Sequence, residues 1–228
     1  MVQFSNRRSK RAEARRVDIM RAAAAVFRAR GFSAAGMRDI AVAADLSPGN
    51  LYHYFRGKEE LLFFCQDRSL DRLLDALAAA RRAGPKDRRS LAARLRELAI
   101  AHVLCLIDGL EGSAAHLEVD ALPPPLRERI VAKRDRYERG VRALITTAGG
   151  RGAESAVATR AFLGALNWTA HWFRPDGGQP SQRVAELVAD YAVTGLIYGP
   201  TRSRRLDRQR RAGRSRVRPV QDAPRGAA

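Results

Sequence analysis

Side chains suited to acid–base, nucleophilic or metal chemistry are few in this sequence and lie far apart. The four histidines, His53, His102, His116 and His171, do not cluster, and Cys65 and Cys105 sit singly inside apolar stretches. There is no G-x-S-x-G, no P-loop, no H-E-x-x-H and no Cys/His group with metal-ligand spacing. The run Gly149-Gly150-Arg151-Gly152 has the glycines of a phosphate cradle, but it follows a helical pattern and no strand feeds it, so it reads as a turn. Neither an enzyme nor a metal or cofactor site is expected. One stretch is different. Ser47, Pro48, Gly49, Asn50, Tyr52, His53 and Tyr54 crowd polar groups together, with Arg38 before them and Lys58 after. Ser, Tyr and Lys donate to phosphate oxygens, and the Asn50 amide can also pair with a base edge. Gly49 lets backbone approach a phosphate closely, and a helix N-terminus attracts anions.

Presenting that stretch requires a scaffold, and composition says which kind. Hydrophobic residues make up 46% of the 228, which excludes a wholly disordered chain. Ala, Leu and Arg are abundant, β-branched runs are scarce, and neither a hairpin signal nor an internal repeat is found, so the fold class is all-α. Ile19, Ala23, Val26 and Phe27 mark one face of a helix ending near Gly31. Short helices at about 37–44 and 48–54 follow, joined by a tight turn at Asp45-Leu46, with Ser47 as cap and Pro48 in first position. Lys58-Glu59-Glu60 open a long helix that ends at Gly84-Pro85. A further helix is expected over about 89–108, with Leu91, Leu95, Leu98 and His102 on one stripe before Gly109 and Gly112 break it. After Pro123-Pro124-Pro125 comes a helix carrying Leu126, Ile130, Tyr137, Val141 and Leu144, and the last two span about 155–173 and 181–198.

Charge is concentrated at the ends. The net charge is +18, of which residues 202–228 hold +8 and residues 1–16 hold +5. Basic arms meet polyanions, nucleic acid first, although the C-terminal run reads equally well as a solvated tail. No apolar run reaches the roughly 18–20 residues that span a bilayer. The N-terminus is basic and amphipathic, without a cleavable apolar core. With two unpaired cysteines, a cytoplasmic protein with no membrane partner is expected.

Two short helices on a tight turn, buttressed by a preceding helix, match a helix-turn-helix. The stretch Gly31-Phe32 … Met37-Arg38-Asp39-Ile40-Ala41 … Leu46-Ser47-Pro48-Gly49-Asn50-Leu51-Tyr52-His53-Tyr54-Phe55 … Lys58-Glu59-Glu60-Leu61-Leu62 closely resembles the TetR family of bacterial repressors. The likeness covers about residues 15–62. It departs from the family pattern at Ala35-Gly36, where Thr or Ser is common, and at Asp45, where the turn usually has glycine. The resemblance implies a homodimer with two heads on a partly palindromic operator, contacted through Arg38, Ser47, Pro48, Gly49, Asn50, Tyr52, His53, Tyr54 and Lys58. It also implies pairing through the two C-terminal helices, where Ala161, Gly164, Ala165 and Gly195 permit close approach and Val184, Leu187, Val188 and Tyr191 supply apolar area. The implied organisation is an arm and head over 1–57, a ligand-binding and dimerisation domain over 58–200, and a basic tail without regular structure over 201–228.

A looser resemblance concerns the second half. Lys133-Arg134-Asp135 … Tyr137-Glu138 and Leu163-Gly164-Ala165-Leu166-Asn167-Trp168 … Trp172-Phe173-Arg174-Pro175 … Gly177 are similar to segments of regulators of fatty-acid, aromatic-acid or sterol breakdown. This implies release from DNA on binding an acyl-CoA thioester. His102, Arg134, Tyr137, Trp168, Trp172 and Phe173 are then candidate ligand contacts. Arg134 falls on an apolar stripe, where a charge needs a partner or an anionic ligand. Each has a plainer reading: His102 as a hydrogen-bonded core residue, Arg134 paired with Glu118 or Asp135, the Trp residues as core or interface. Two other functions stay open, a repressor of multidrug efflux that senses cationic compounds and a sequence-tolerant DNA coater.

Overall fold

The computed structural model describes residues 2–82, 88–107, 118–147 and 153–214. Among them every regular element is helical: α1 (Val2–Ala34), α2 (Met37–Ala43), α3 (Pro48–Tyr54), α4 (Lys58–Arg82), α5 (Arg88–Ile107), a single 3₁₀ turn (Val119–Ala121), α6 (Pro124–Thr146), α7 (Ala153–Trp172) and α8 (Ser181–Arg214). His116, Gly109, Gly112, the Gly84-Pro85 break and the Gly149–Gly152 turn lie outside the described residues.

Local chemistry sets the head. Gly31 adopts φ 74°, a left-handed conformation that glycine takes without strain, and this breaks α1 where the apolar pattern stops. The Asp39 carboxylate accepts from the Gly36 N–H at 3.1 Å, so the first turn of α2 is capped without a Ser or Thr. Asp45 takes the turn's left-handed position at φ 53°, which Asp tolerates better than most residues. The Ser47 hydroxyl accepts from the Asn50 N–H at 3.2 Å and Pro48 opens α3. Ile19, Phe27, Ile40, Ala41, Leu51 and Phe55 meet in the head's core, each at most 1% exposed.

The body is built around α5, which packs on α4, α7 and α8. Buried residues therefore ring much of this helix, with Ala99, Val103 and Ile107 joining the expected stripe. A helix enclosed on several sides has no reason to keep one polar face. The directions of the helices follow from named contacts. The Cys105 thiol reaches the Ser69 carbonyl and Arg94 reaches that of Ala80, so α5 runs antiparallel to α4, back toward the head. Lys133 meets Asp67 and Gly140 meets Leu77, so α6 runs parallel to α4. Arg160 lies by Glu138 and Asn167 by His102, so α7 points toward the head; Gly195 and Leu196 lie beside Glu154 and Val157 at the start of α7, so α8 returns away from it.

The C-terminal segment departs from expectation. Helix α8 continues to Arg214 instead of stopping near residue 198.

Candidate nucleic-acid interface and ligand cleft

Helix α3 is anchored on one side and open on the other. Leu51 is fully buried and Phe55 is 1% exposed, whereas Ser47, Pro48, Gly49, Asn50, Tyr52 and His53 all face solvent. A Cβ built on Gly49 would meet nothing within 4 Å, so that surface is unobstructed. Arg38 is exposed on α2, while Tyr54 is half-buried against the core. Val42, which the sequence reading passed over, is 80% exposed and lines a shallow groove with Asp45, Leu46, Ser47 and Asn50. Its exposure was not legible because valine at that spacing looks like core.

Lys58 does something other than expected. Its ammonium donates to the carbonyls of Phe32, Ser33 and Ala35 at 3.0, 3.1 and 3.3 Å and sits 4.7 Å from the Phe32 ring centroid. An ammonium has three N–H donors, and these three carbonyls, left without partners where α1 ends, take them all. Lys58 therefore fastens α4 to α1 and is not free for a phosphate. Arginines at the end of the basic arm are similarly engaged. Arg15 donates to the carbonyls of Ala44 and Asp45 in the helix-turn-helix turn, and the Arg16 guanidinium lies 4.6 Å from the Phe55 centroid.

A cleft of about 400 Å³ opens where α4, α5, α6 and α7 meet. Leu70, Leu73, Val131 and Leu163 give it apolar walls, and His102, Tyr137 and Asn167 form a hydrogen-bonded chain along it. His102 Nδ1 and the Tyr137 hydroxyl are 3.0 Å apart, as are His102 Nε2 and Asn167 Oδ1. The Asn oxygen accepts only, so Nε2 carries the proton, and the Tyr137 hydroxyl donates to Nδ1. Burial of His102, opposed by the bond to Asn167, lowers its pKa to about 4. Burial also pushes the Tyr137 phenol well up from its ordinary value. Both are neutral near pH 7. Arg134 lines the same cleft, its pKa lowered by burial against the opposing fields of Asp120 and Asp135. Asp135, Glu138 and Arg160 line it too.

Of the six candidate ligand residues, the fold therefore brings three to one place: His102, Arg134 and Tyr137. Trp168, Trp172 and Phe173 are not among the cleft's lining residues. Trp168 is 60% exposed and stacks on His171 at 4.3 Å, Trp172 is 48% exposed, and Phe173 packs half-buried against the core. The reason is rotation about α7: its cleft-facing positions are Arg160, Leu163, Gly164 and Asn167. Asn167 was missed, since nothing in its neighbours marks a polar residue one turn from Leu163.

Two further features border these sites. Lys133 joins α6 to α4 through Asp67 Oδ1 at 2.5 Å and Asp71 Oδ1 at 2.8 Å. Burial acts to lower the Lys133 pKa, but the bonds to both carboxylates outweigh it and the net shift is upward. On the outer side of α7 and α8, Val157, Ala161, Phe162, Ala165, Tyr191 and Leu196 line an apolar concavity of about 700 Å³. Tyr191 is 79% and Val157 68% exposed, while Val184 turns inward and packs within the protomer.

Comparison with known proteins gives a consistent result. Residues 19–63 match the model described as bacterial regulatory proteins, tetR family, and residues 88–196 match a tetracyclin repressor-like C-terminal domain. The structure of a TetR family transcriptional regulator, PfmR from Thermus thermophilus, superposes with a TM-score of 0.67 at 31% identity, over 78% of this chain and 98% of that one. AibR, solved in complex with isovaleryl coenzyme A and operator DNA, gives a TM-score of 0.65 at 25% identity, over 80% and 98%. The HTH-type transcriptional repressor KstR2 of Mycobacterium tuberculosis is 43% identical over 65 residues, 28% of this chain. That match spans only 30% of the repressor's length.

Proposed function

Because the chain belongs to the TetR family of bacterial regulatory proteins, we propose that it is a dimeric transcriptional repressor released from its operator by a small molecule. The observation that carries this is the division of α3, with Leu51 buried and Ser47, Asn50, Tyr52 and His53 turned out together. Arg38, Ser47, Pro48, Gly49, Asn50, Tyr52 and His53 form the DNA-binding edge in this reading, with Tyr54 at its margin and Val42 added. Lys58 stiffens the head from behind. The head ends at Gly57 and the body begins with α4. Two copies pair through the apolar face of α7 and α8, which sets the two recognition helices on successive major grooves about 34–36 Å apart.

The effector occupies the cleft between α4 and α6. We favour an acyl-CoA thioester, on the strength of the apolar walls, Arg134 and Arg160 at the cleft, and the ligand held by AibR. A cleft of about 400 Å³ suits the acyl part, with the nucleotide lying outside it. Wedging α4 from α6 changes the tilt of α4, whose first residue is fastened to the head, and so changes the spacing of the two heads. The ligand needs only higher affinity for the released state. Asp135 and Glu138 also line the cleft, and two carboxylates favour a second reading, a repressor that senses cationic hydrophobic compounds.

The test begins with selection of an operator from random duplexes. The selected complex is then titrated with acyl-CoAs of increasing chain length and with cationic dyes. Release by a subset of acyl-CoAs, lost in Arg134→Ala, supports the first reading; release by dyes alone transfers support to the second. Failure to enrich any sequence would overturn the repressor assignment and leave a DNA coater.

A further inference from the structure

We propose that Asn167 selects the effector's polar group: its amide nitrogen donates to an uncharged carbonyl oxygen in the ligand's apolar part, and the buried pair Tyr137 and His102 holds the amide in the orientation that allows this. The proposal deepens the reading of the cleft as the effector site and rests on it. Asn167 is the specificity-determining residue. His102 and Tyr137 are positioning residues, which act through the amide and need no contact with the ligand.

Hydrogen-bond supply fixes the direction of the chain. It runs from the interior to the cleft surface, since Tyr137 is 4% and His102 3% exposed whereas Asn167 is exposed. A neutral imidazole has one donor and one acceptor, so two orders are available. In the first, the Tyr137 hydroxyl donates to His102 Nδ1 and His102 Nε2 donates to Asn167 Oδ1, each across 3.0 Å. Every N–H and O–H inside the chain then has an acceptor. In the second, the amide is turned over, Asn167 donates to Nε2, and Nδ1 donates to the Tyr137 oxygen. The Tyr137 hydroxyl hydrogen then needs another acceptor, and Tyr137 has no other hydrogen-bond partner among the described residues. A buried hydroxyl hydrogen left unpaired costs more than one hydrogen bond returns. The first order therefore holds.

That order decides what the cleft offers a ligand. The two ends of an amide are alike in shape, and here the His102 Nε2–H tells them apart by claiming the oxygen. Asn167 Nδ2 is left with two N–H groups and no acceptor among the described residues. The donor stands in apolar surroundings: Leu163 lies one turn earlier on α7, and Leu70, Leu73 and Val131 line the same cleft. A ligand oxygen desolvated there is repaid only if it accepts from this amide. The amide is uncharged and His102 is neutral near pH 7, so the position offers a carboxylate no countercharge. The arginine on the same helix, Arg160, is seven residues away, about 10 Å along the axis. A thioester, ester or ketone carbonyl attached to hydrocarbon meets these conditions.

The experiment measures dissociation constants by isothermal titration of the full chain with two ligand pairs. The first pair is an acyl-CoA and the S-alkyl-CoA thioether of equal chain length, which lacks only the carbonyl oxygen. The second is a medium-chain methyl ketone and the alkene in which methylene replaces that oxygen. Within each pair the affinity ratio cancels changes in cleft shape and in stability. Asn167→Leu and the near-isosteric Asn167→Asp, which has no N–H, should each lower the native thioester-to-thioether ratio by about fivefold. Tyr137→Phe frees the imidazole proton and should lower the ratio part of the way, with Asn167 still in place. A ratio that Asn167→Leu leaves unchanged overturns the proposal. So does a ratio abolished in Tyr137→Phe and kept in Asn167→Leu, which would make the Tyr137 hydroxyl the donor. Failure of both CoA compounds to bind removes the acyl-CoA reading alone, because the ketone and alkene still decide the role of Asn167. The ketone-to-alkene ratio should fall by the same factor in Asn167→Leu; an equal ratio, or no binding of either compound, overturns the proposal.

Discussion

His102 couples the ligand cleft to acidity. In the fold its imidazole stays neutral down to about pH 4, whereas an unfolded histidine titrates near 6.5. Between those values the unfolded state binds more protons, so stability declines as pH falls through the window and levels off below it. The loss amounts to about 3 kcal/mol at most. Urea denaturation across this range should show the decline in the native sequence and a flatter curve in His102→Gln; superimposable curves would count against a buried neutral histidine. Three residues of the head separate by the same kind of reasoning. Tyr52→Phe removes one exposed hydroxyl and no charge, so operator affinity should drop by about 1 kcal/mol with an unchanged salt slope. Arg38→Gln should lower that slope by about one, having removed a charged phosphate contact. Lys58→Met should leave the slope alone and destabilise the fold by about 1–3 kcal/mol, since three carbonyls lose their charged donor. Thermal melts and band shifts at several salt concentrations distinguish these outcomes. The placement of Lys58 was not legible in its neighbours, because its partners lie 23 to 26 residues earlier.

At the scale of elements, the contact between α4 and α6 carries the proposed switch. Gly140 allows the two helices to approach so closely that a Cβ there would collide with Leu77 Cδ2. Leu77 is 4% exposed and has little room to retreat. Gly140→Ala should gain up to about 1 kcal/mol in helix propensity and lose about 1–3 kcal/mol to overpacking, for a net loss. Combined with Leu77→Ala, the total loss should be smaller than the sum of the two single losses; strict additivity in chemical denaturation would refute the contact. The helices themselves were readable from apolar spacing and caps. α3 begins at Pro48 and ends at Tyr54 as the sequence indicates, because the start signals Ser47 and Pro48 act within a turn of their own positions. The one-sided reading of α5 was incomplete because its burial depends on three neighbours that arrive from elsewhere in the chain.

At the scale of the molecule, the outer face of α7 and α8 sets the expected assembly. Tyr191→Glu places a charge in the middle of that apolar face. In sedimentation it should shift the protein toward monomer, and operator binding should then require higher protein concentration and lose its half-site spacing requirement. A dimer that persists unchanged would mean that pairing uses another surface. Val184, expected on this face, instead helps hold α8 to its own body. Leu187, at 36% exposure, and Tyr191 remain available to a partner.

The order and type of the helices, the position of the polar stretch Ser47–Tyr54 at α3 and the concentration of charge at the two ends were determined by sequence alone, since periodicity, capping and composition act between near neighbours. Tertiary structure decided which side of α7 faces the cleft, leaving Trp168 and Trp172 outside and Asn167 within. It also decided that Lys58 caps α1 and that His102 is held between Tyr137 and Asn167. Each of these depends on residues tens of positions apart being packed together. A side chain's choice among water, backbone and ligand is made by that packing.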